Sequence, residues 1–216
     1  MLSGIHAKRE CEPGSRRESR DEAMLVPESP VFFEAFSERP SVQWLNPRVL
    51  SPYQRALLVL DGTVTKFIEA WTMDRVRIQC IGQALQTLSE AHDLLEAPAG
   101  ARVLGRSVVI DGQHSRELHA HAISMIALDR LPADLGKALE IQGAGIGRIL
   151  NASEVETRRE ILWVGRERIV GLPPEVVERW DDEFIVRTYR IHSKGHPIML
   201  ISERFPFLKT EVGAGD

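Results

Sequence analysis

A single antiparallel sheet of about six strands, with short helices packed against it, is the α+β fold that this 216-residue sequence predicts. Three observations carry that expectation. Alternating apolar segments come in pairs joined by turn-forming residues, as in "SVVIDGQHSRELHAHAIS" and "IVRTYRIHSKGHPIMLIS", the signature of β-hairpins. The helical patterns are short and do not alternate one for one with strands, so a parallel βαβ fold is not supported. No stretch repeats at a fixed period, which excludes a solenoid or propeller.

Taken in order, residues 1–28 form a compositional zone of their own. "HAKRECEPGSRRESRDEA" mixes both charge signs without periodicity and offers almost nothing to a core, so it is expected to be a disordered tail, with Met24 as an alternative start. Residues 29–216 are expected to form one domain. "SPYQRALLVLDGTVTKFIEAW" opens on a Ser-Pro helix start and spaces Leu57, Leu58, Leu60, Phe67 and Ile68 helically; its "DG" breaks it into two short helices, with Asp61 or Thr63 as cap. "DRVRIQCIG" alternates as a strand, "LQTLSEAHDLLEA" reads as helical or irregular, and "ARVLGRSVVIDG" and "RELHAHAISMIAL" form a hairpin. "LPADLGKALE" is expected to be a helix, and "GAGIGRIL" leads into another. "EVETRREILWVGR" is a long strand, "LPPEVVERWD" a short helix, and "FIVRTYRIH" and "PIMLISERFP" a last hairpin.

Composition narrows the function classes. With 43% hydrophobic and 27% charged residues the chain is ordinary for a globular protein, and its net charge of −4 gives no electrostatic reason for a nucleic-acid or membrane partner. Two cysteines, Cys11 and Cys80, make no disulfide framework. No apolar run is long enough to span a bilayer and no signal-peptide core is present, so a cytoplasmic location is expected.

Two charges sit where apolar residues belong. In "HPIMLISERFP", Met199, Ile201 and Phe205 share one face at period two, and Glu203 falls on that face. In "VLGRSVVI", Arg106 lies between Leu104, Val108 and Ile110 in the same manner. An arginine so placed keeps its proton and needs an anion. Two accounts stand at this point. Either Arg106 and Glu203 form a structural ion pair, or the arginine holds an anionic ligand while the glutamate handles a hydroxyl or proton. The apolar pattern alone predicts that an amide in place of Glu203 is tolerated by the fold.

"QGAGIGRIL" and "DGTVT" each present backbone N–H groups near a helix start, suited to close approach by an anion. A dinucleotide loop is a poor fit to the first, which lacks a preceding strand and a following acid. His119 and His121 could suit a metal, but no third ligand is evident, and no metal or other cofactor is expected.

Together "SPYQRALLVLDGTVTKFIEA", "VLGRSVVI", "IALDRLP", "GIGRIL", "ETRREILWVGR" and "YRIHSKGHPIMLISERFP" resemble, in order, the chorismate pyruvate-lyase family over about residues 50–207. The resemblance implies a six-stranded antiparallel sheet enclosing a ligand pocket under helical flaps. It implies a carbon–oxygen lyase that removes pyruvate from chorismate and leaves 4-hydroxybenzoate, with small-molecule substrate and products as its only implied partners. The family's ligand-binding arginine falls on Arg106, its essential glutamate on Glu203, and its two ligand-contacting amides on Val64 and Ile146. Arg106 with those amides would hold the ring carboxylate, and Glu203 would face the 4-hydroxyl. Ile123 stands where many relatives carry an acid or another polar residue, which bears on the pocket rim or the substrate preference. Two alternatives remain: a related enolpyruvyl ether such as the 4-amino analogue as substrate, or a non-catalytic effector-binding domain of the same fold. A regulator of that kind normally carries a helix-turn-helix ahead of the domain, and residues 1–28 are too short and irregular for one.

Overall fold

In the computed structural model, which describes residues 43–131, 146, 156–169, 171–180 and 182–207, six strands form one antiparallel sheet. They are β1 (Val76–Thr87), β2 (Arg102–Gly112), β3 (Leu118–Ala127), β4 (Arg158–Arg168), β5 (Glu183–Ser193) and β6 (His196–Pro206), in the spatial order β1-β2-β3-β6-β5-β4. The expected tail, the helix over "LPADLGKALE" apart from its first residue Leu131, and all of "GAGIGRIL" but Ile146 lie outside the described residues. Ile146 itself is helical.

The hairpins close where the turn residues stand. Between β5 and β6, Lys194 and Gly195 both adopt positive φ, 50° and 83°, the conformation of a two-residue turn whose twist matches the strands. One expectation is revised: Leu85, Gln86 and Thr87 belong to β1, because β2 extends the ladder to them through Leu104, Val103 and Arg102. Only beyond them does the chain turn irregular, with a 3₁₀ turn at Asp93–Leu95 inside a bridge between His92 and Ala97.

Among the described residues, two α-helices lie ahead of the sheet in sequence. α1 (Pro52–Val59) begins with a capping box: Gln54 N–H donates to Ser51 Oγ at 3.2 Å, and Ser51 N–H to Gln54 Oε1 at 3.0 Å. Gln54 Nε2 also donates to the carbonyl of Pro206 at 3.2 Å, tying α1 to the end of β6. α2 (Val64–Thr72) follows the "DG" break, with Thr63 at the N-cap position but no side-chain capping bond. Leu57, Leu58, Val64 and Ile68 pack on Ile110, Ile185 and Phe205 of one sheet face. Farther along that face a second apolar cluster gathers Leu104, Ile126, Tyr189, Ile191, Met199 and Ile201. The opposite face is covered at one end by α3 (Pro174–Val177) with Trp180 over Phe184 and Val186, and at the other by Leu95 and Ala97 over Val103.

At the β4 edge of that opposite face, Glu160 accepts from Arg190 Nε at 2.8 Å and stands 2.7 Å from His192 Nε2. The Arg190 hydrogen bonds lower the Glu160 carboxyl from its ordinary 4.5 to about 2, against partial desolvation and with help from His192. A carboxyl whose folded-state pKa is depressed stabilises the fold fully above about 4.5, and that contribution is lost as the pH falls toward about 2. The melting temperature is therefore expected to drop across that window, and less steeply in Glu160→Gln. Identical slopes for the two proteins would assign the acid sensitivity elsewhere.

Candidate active site

Between the two apolar clusters lies a cavity floored by all six strands. It encloses about 760 Å³ free of protein atoms, its open mouth included. Strand alternation selects what enters it. The pairings Arg106↔Ser124, Val108↔Ala122 and Ile110↔Ala120 put these residues of β2 and β3 on one face, and Ala122↔Glu203 and Ser124↔Ile201 carry the same face onto β6. Tyr189 and Ile191 of β5 and Arg159 of β4 continue it. The wall opposite the floor is made by Gly62, Thr63, Val64 and Thr65, where α2 begins, and by Ile146.

The four residues expected to serve the site, Arg106, Glu203, Val64 and Ile146, thus line one cavity. Arg106 is 4% exposed, and none of its three guanidinium nitrogens has a hydrogen-bond partner. A buried guanidinium left this way forgoes hydration without replacement, an arrangement that costs free energy until an anion arrives. The start of α2 adds to the field. Its first-turn N–H groups point out of the helix, uncapped by Thr63, and carry the positive end of the helix dipole.

Glu203 is buried, but Arg106 is not its partner. Register explains why. Arg106 stands opposite Ser124, with β3 between it and β6, whereas Glu203 stands opposite Arg187 on β5. Arg187 Nε donates to Glu203 Oε2 at 2.6 Å, and Tyr189 Oη donates to Oε1 at 3.1 Å. The structural pairing weighed for Glu203 therefore exists with a different arginine, and it frees Arg106 for another anion. Arg187 is 1% exposed, lies over the Tyr189 ring at 5.2 Å, and donates from Nη1 to the Leu60 carbonyl at 2.8 Å. Burial opposes its charge, but the Glu203 carboxylate outweighs burial and keeps the guanidinium above its ordinary pKa. The Tyr189 phenol is likewise held above its ordinary value, by burial first and then by the charge of Glu203, so it remains a donor.

Arg187, Tyr189 and Arg159 are the residues that sequence reasoning passed over. A usable signal was present for the first two: Ile185, Arg187, Tyr189 and Ile191 alternate at period two, the same pattern that singled out Glu203.

Two other expectations resolve away from the cavity. Ile123 pairs with Ser107 and Ser202 on the opposite sheet face, so it forms no part of the pocket rim; its neighbours Ala122 and Ser124 do line the cavity. His121 also faces away: Arg204 Nη1 donates to its Nδ1 at 3.3 Å, which leaves Nε2 to donate to Ser107 Oγ at 2.9 Å. Burial, then the Arg204 charge, pushes its pKa down to about 4. His119 falls at the register shift between β2 and β3, and among the described residues no three metal-ligating side chains gather. Among them, too, no helix is long and apolar enough to cross a membrane.

The sequence also matches known proteins. Residues 58–212 match the family model described as chorismate pyruvate-lyase, Rv2949c-like. A chorismate pyruvate-lyase of Mycobacterium tuberculosis is 32% identical over 164 residues, 73% of this chain and 81% of that protein. One from Mycobacterium leprae is 29% identical over 157 residues, 70% of this chain and 72% of the relative. Among solved structures, the effector domain of PhnF from Mycobacterium smegmatis superposes with a TM-score of 0.51 at 13% identity. That likeness covers 67% of this chain and 88% of the domain, and it is one of fold alone.

Proposed function

The chain belongs to the Rv2949c-like chorismate pyruvate-lyase family, and on that premise we propose that it converts chorismate to 4-hydroxybenzoate and pyruvate. The observation that supports this most is Arg106: a buried guanidinium with three unpartnered nitrogens, opening into a cavity that also holds a buried glutamate. In this reading Arg106 takes the ring carboxylate with its two-pronged donor geometry, and backbone amides at Val64 and Ile146 complete the cradle. Glu203 faces the other end of the ring, at the 4-hydroxyl.

The reaction breaks the ether bond at ring C3, and the electron pair departs with the enolpyruvyl oxygen. The hydrogen at C4 is lost as a proton, the ring becomes aromatic, and the departing enol takes up a proton to become pyruvate. Aromatisation supplies the driving force. The protein's part is to orient the ether, exclude water and handle the proton, the last assigned to Glu203. Arg187 and Tyr189 fix the Glu203 carboxylate by one bond to each oxygen, so it meets the ring in one orientation.

Purified protein mixed with chorismate is expected to release pyruvate and 4-hydroxybenzoate in equal amounts, with a chelator leaving the rate unchanged. Tight binding of chorismate without product would make the domain a sensor. Activity lost to chelation and restored by a divalent metal would remove the cofactor-independent mechanism.

A further inference from the structure

Chorismate carries two carboxylates, and Arg106 accounts for one. We propose that Arg159 receives the second, on the enolpyruvyl ether, and thereby selects diacids over monoacids; this deepens the lyase reading and rests on it. Charge is the first ground. Among the described lining residues the charged side chains are Arg106, Arg159 and Glu203, and Glu203 is already neutralised by Arg187 behind it. Two cations therefore remain for a ligand, the number a dianion requires.

Placement is the second ground. Arg106 on β2 and Arg159 on β4 are separated by four strand spacings, about 19 Å between backbones at ~4.8 Å each. Two long side chains reaching inward leave room for one small ring with an acid at either end. Glu203 on β6 lies midway. In chorismate the ether at C3 adjoins the hydroxyl at C4, so a ring held by Arg106 with its hydroxyl at Glu203 sends the ether side chain past Glu203, toward β5 and β4. Beyond Glu203 in that direction the lining cation is Arg159.

The state of Arg159 is the third ground. Its Nε is buried without a hydrogen-bond partner, and Nη1 makes only a long contact, 3.3 Å, with the Asp61 carbonyl. That contact brings the guanidinium beside Gly62, also on the cavity wall. The donors are thus oriented and under-used. Tyr189 senses the same charge: Arg159 opposes the rise in its pKa caused chiefly by burial.

Two stable aromatic probes test this. 3-(Carboxymethoxy)-4-hydroxybenzoate carries both acids, and 3-ethoxy-4-hydroxybenzoate has the same ether without the second charge. Calorimetric titration is expected to give the wild-type protein a preference for the diacid of about 10- to 100-fold, the range of a charge-assisted contact. Arg159→Met is expected to bring that ratio close to one while leaving monoacid affinity within about twofold. Arg159→Lys should keep part of the preference, since it retains the charge but loses the fork. An undiminished ratio in Arg159→Met would overturn the assignment. So would equal loss of both probes in both variants, which would make Arg159 a prop for the Asp61 loop. A wild-type protein that binds both probes equally would overturn the inference and leave the lyase reading standing; one that binds neither would overturn both.

Discussion

Arg106→Ala is expected to weaken 4-hydroxybenzoate binding by roughly 30-fold to several thousandfold, the cost of truncating one member of a buried, hydrogen-bonded charge pair. Arg106→Lys should recover part of this, because a lysine restores one charge but cannot present two parallel N–H groups to a carboxylate. Stability is expected to move the other way. In the free protein the guanidinium is buried with three unpartnered nitrogens, so Arg106→Met removes a desolvation penalty while filling similar volume. Its melting temperature should equal or exceed that of the wild type as binding collapses, the pattern of a residue kept for ligand rather than fold. Calorimetry and thermal melting on one preparation read both quantities. Unchanged product affinity in the alanine variant would mean that the carboxylate is held elsewhere, and a destabilised methionine variant would make Arg106 structural.

The strand faces were legible because an antiparallel sheet with one cavity face repeats at two, and a charge at an apolar beat stands out: Arg106 among Leu104, Val108 and Ile110, Glu203 among Met199, Ile201 and Phe205. What stands beside each charge was not. Counting back from the Lys194–Gly195 turn pairs Ser193 with His196 and, continued evenly, would set Arg187 opposite Ser202. The register instead shifts between Ile191 and His192, and Arg187 meets Glu203. The shift falls where Pro197 has no N–H to give the ladder, a local event that period-two counting does not anticipate. Sheet order hid more. β6 inserts between β3 and β5, so the strand that flanks Arg106's own hairpin on its β3 side comes last among the described strands. Arg159 was obscured for another reason: "RRE" at the start of β4 is charged at three successive positions, so no contrast marks the inward one until Ile161. A second shift just after Ile161 then reverses the parity for Val164.

Glu203→Gln is expected to lose most turnover, on the order of 10²–10⁴-fold, since an amide cannot exchange a proton with the reacting ring. The apolar face of β6 taken alone predicts that the amide is tolerated. The ion pair to Arg187 reverses that sign. Arg187 is 1% exposed, and Glu203 is the acid that balances it at 2.6 Å; breaking a buried pair by neutralising one member costs about 3–5 kcal/mol. The amide oxygen can still accept from Arg187, which favours the lower end of that range and a fall in melting temperature of roughly 6–12 °C. Turnover and stability therefore drop together in this variant, and neither separates a catalytic role from a structural one. The double variant Arg187→Met, Glu203→Gln does. It removes both charges, so most of the lost stability should return, while turnover stays low because no proton acceptor has been restored. Arg187→Met alone leaves a buried carboxylate without its cation and is expected to be the least stable of the three. Melting temperature and turnover per folded molecule, measured across the four proteins, give the coupling between the two sites directly. A double variant that regains both stability and turnover would show that Glu203 serves only to balance Arg187, and the proton-handling role would then have to be assigned to another group in the cavity.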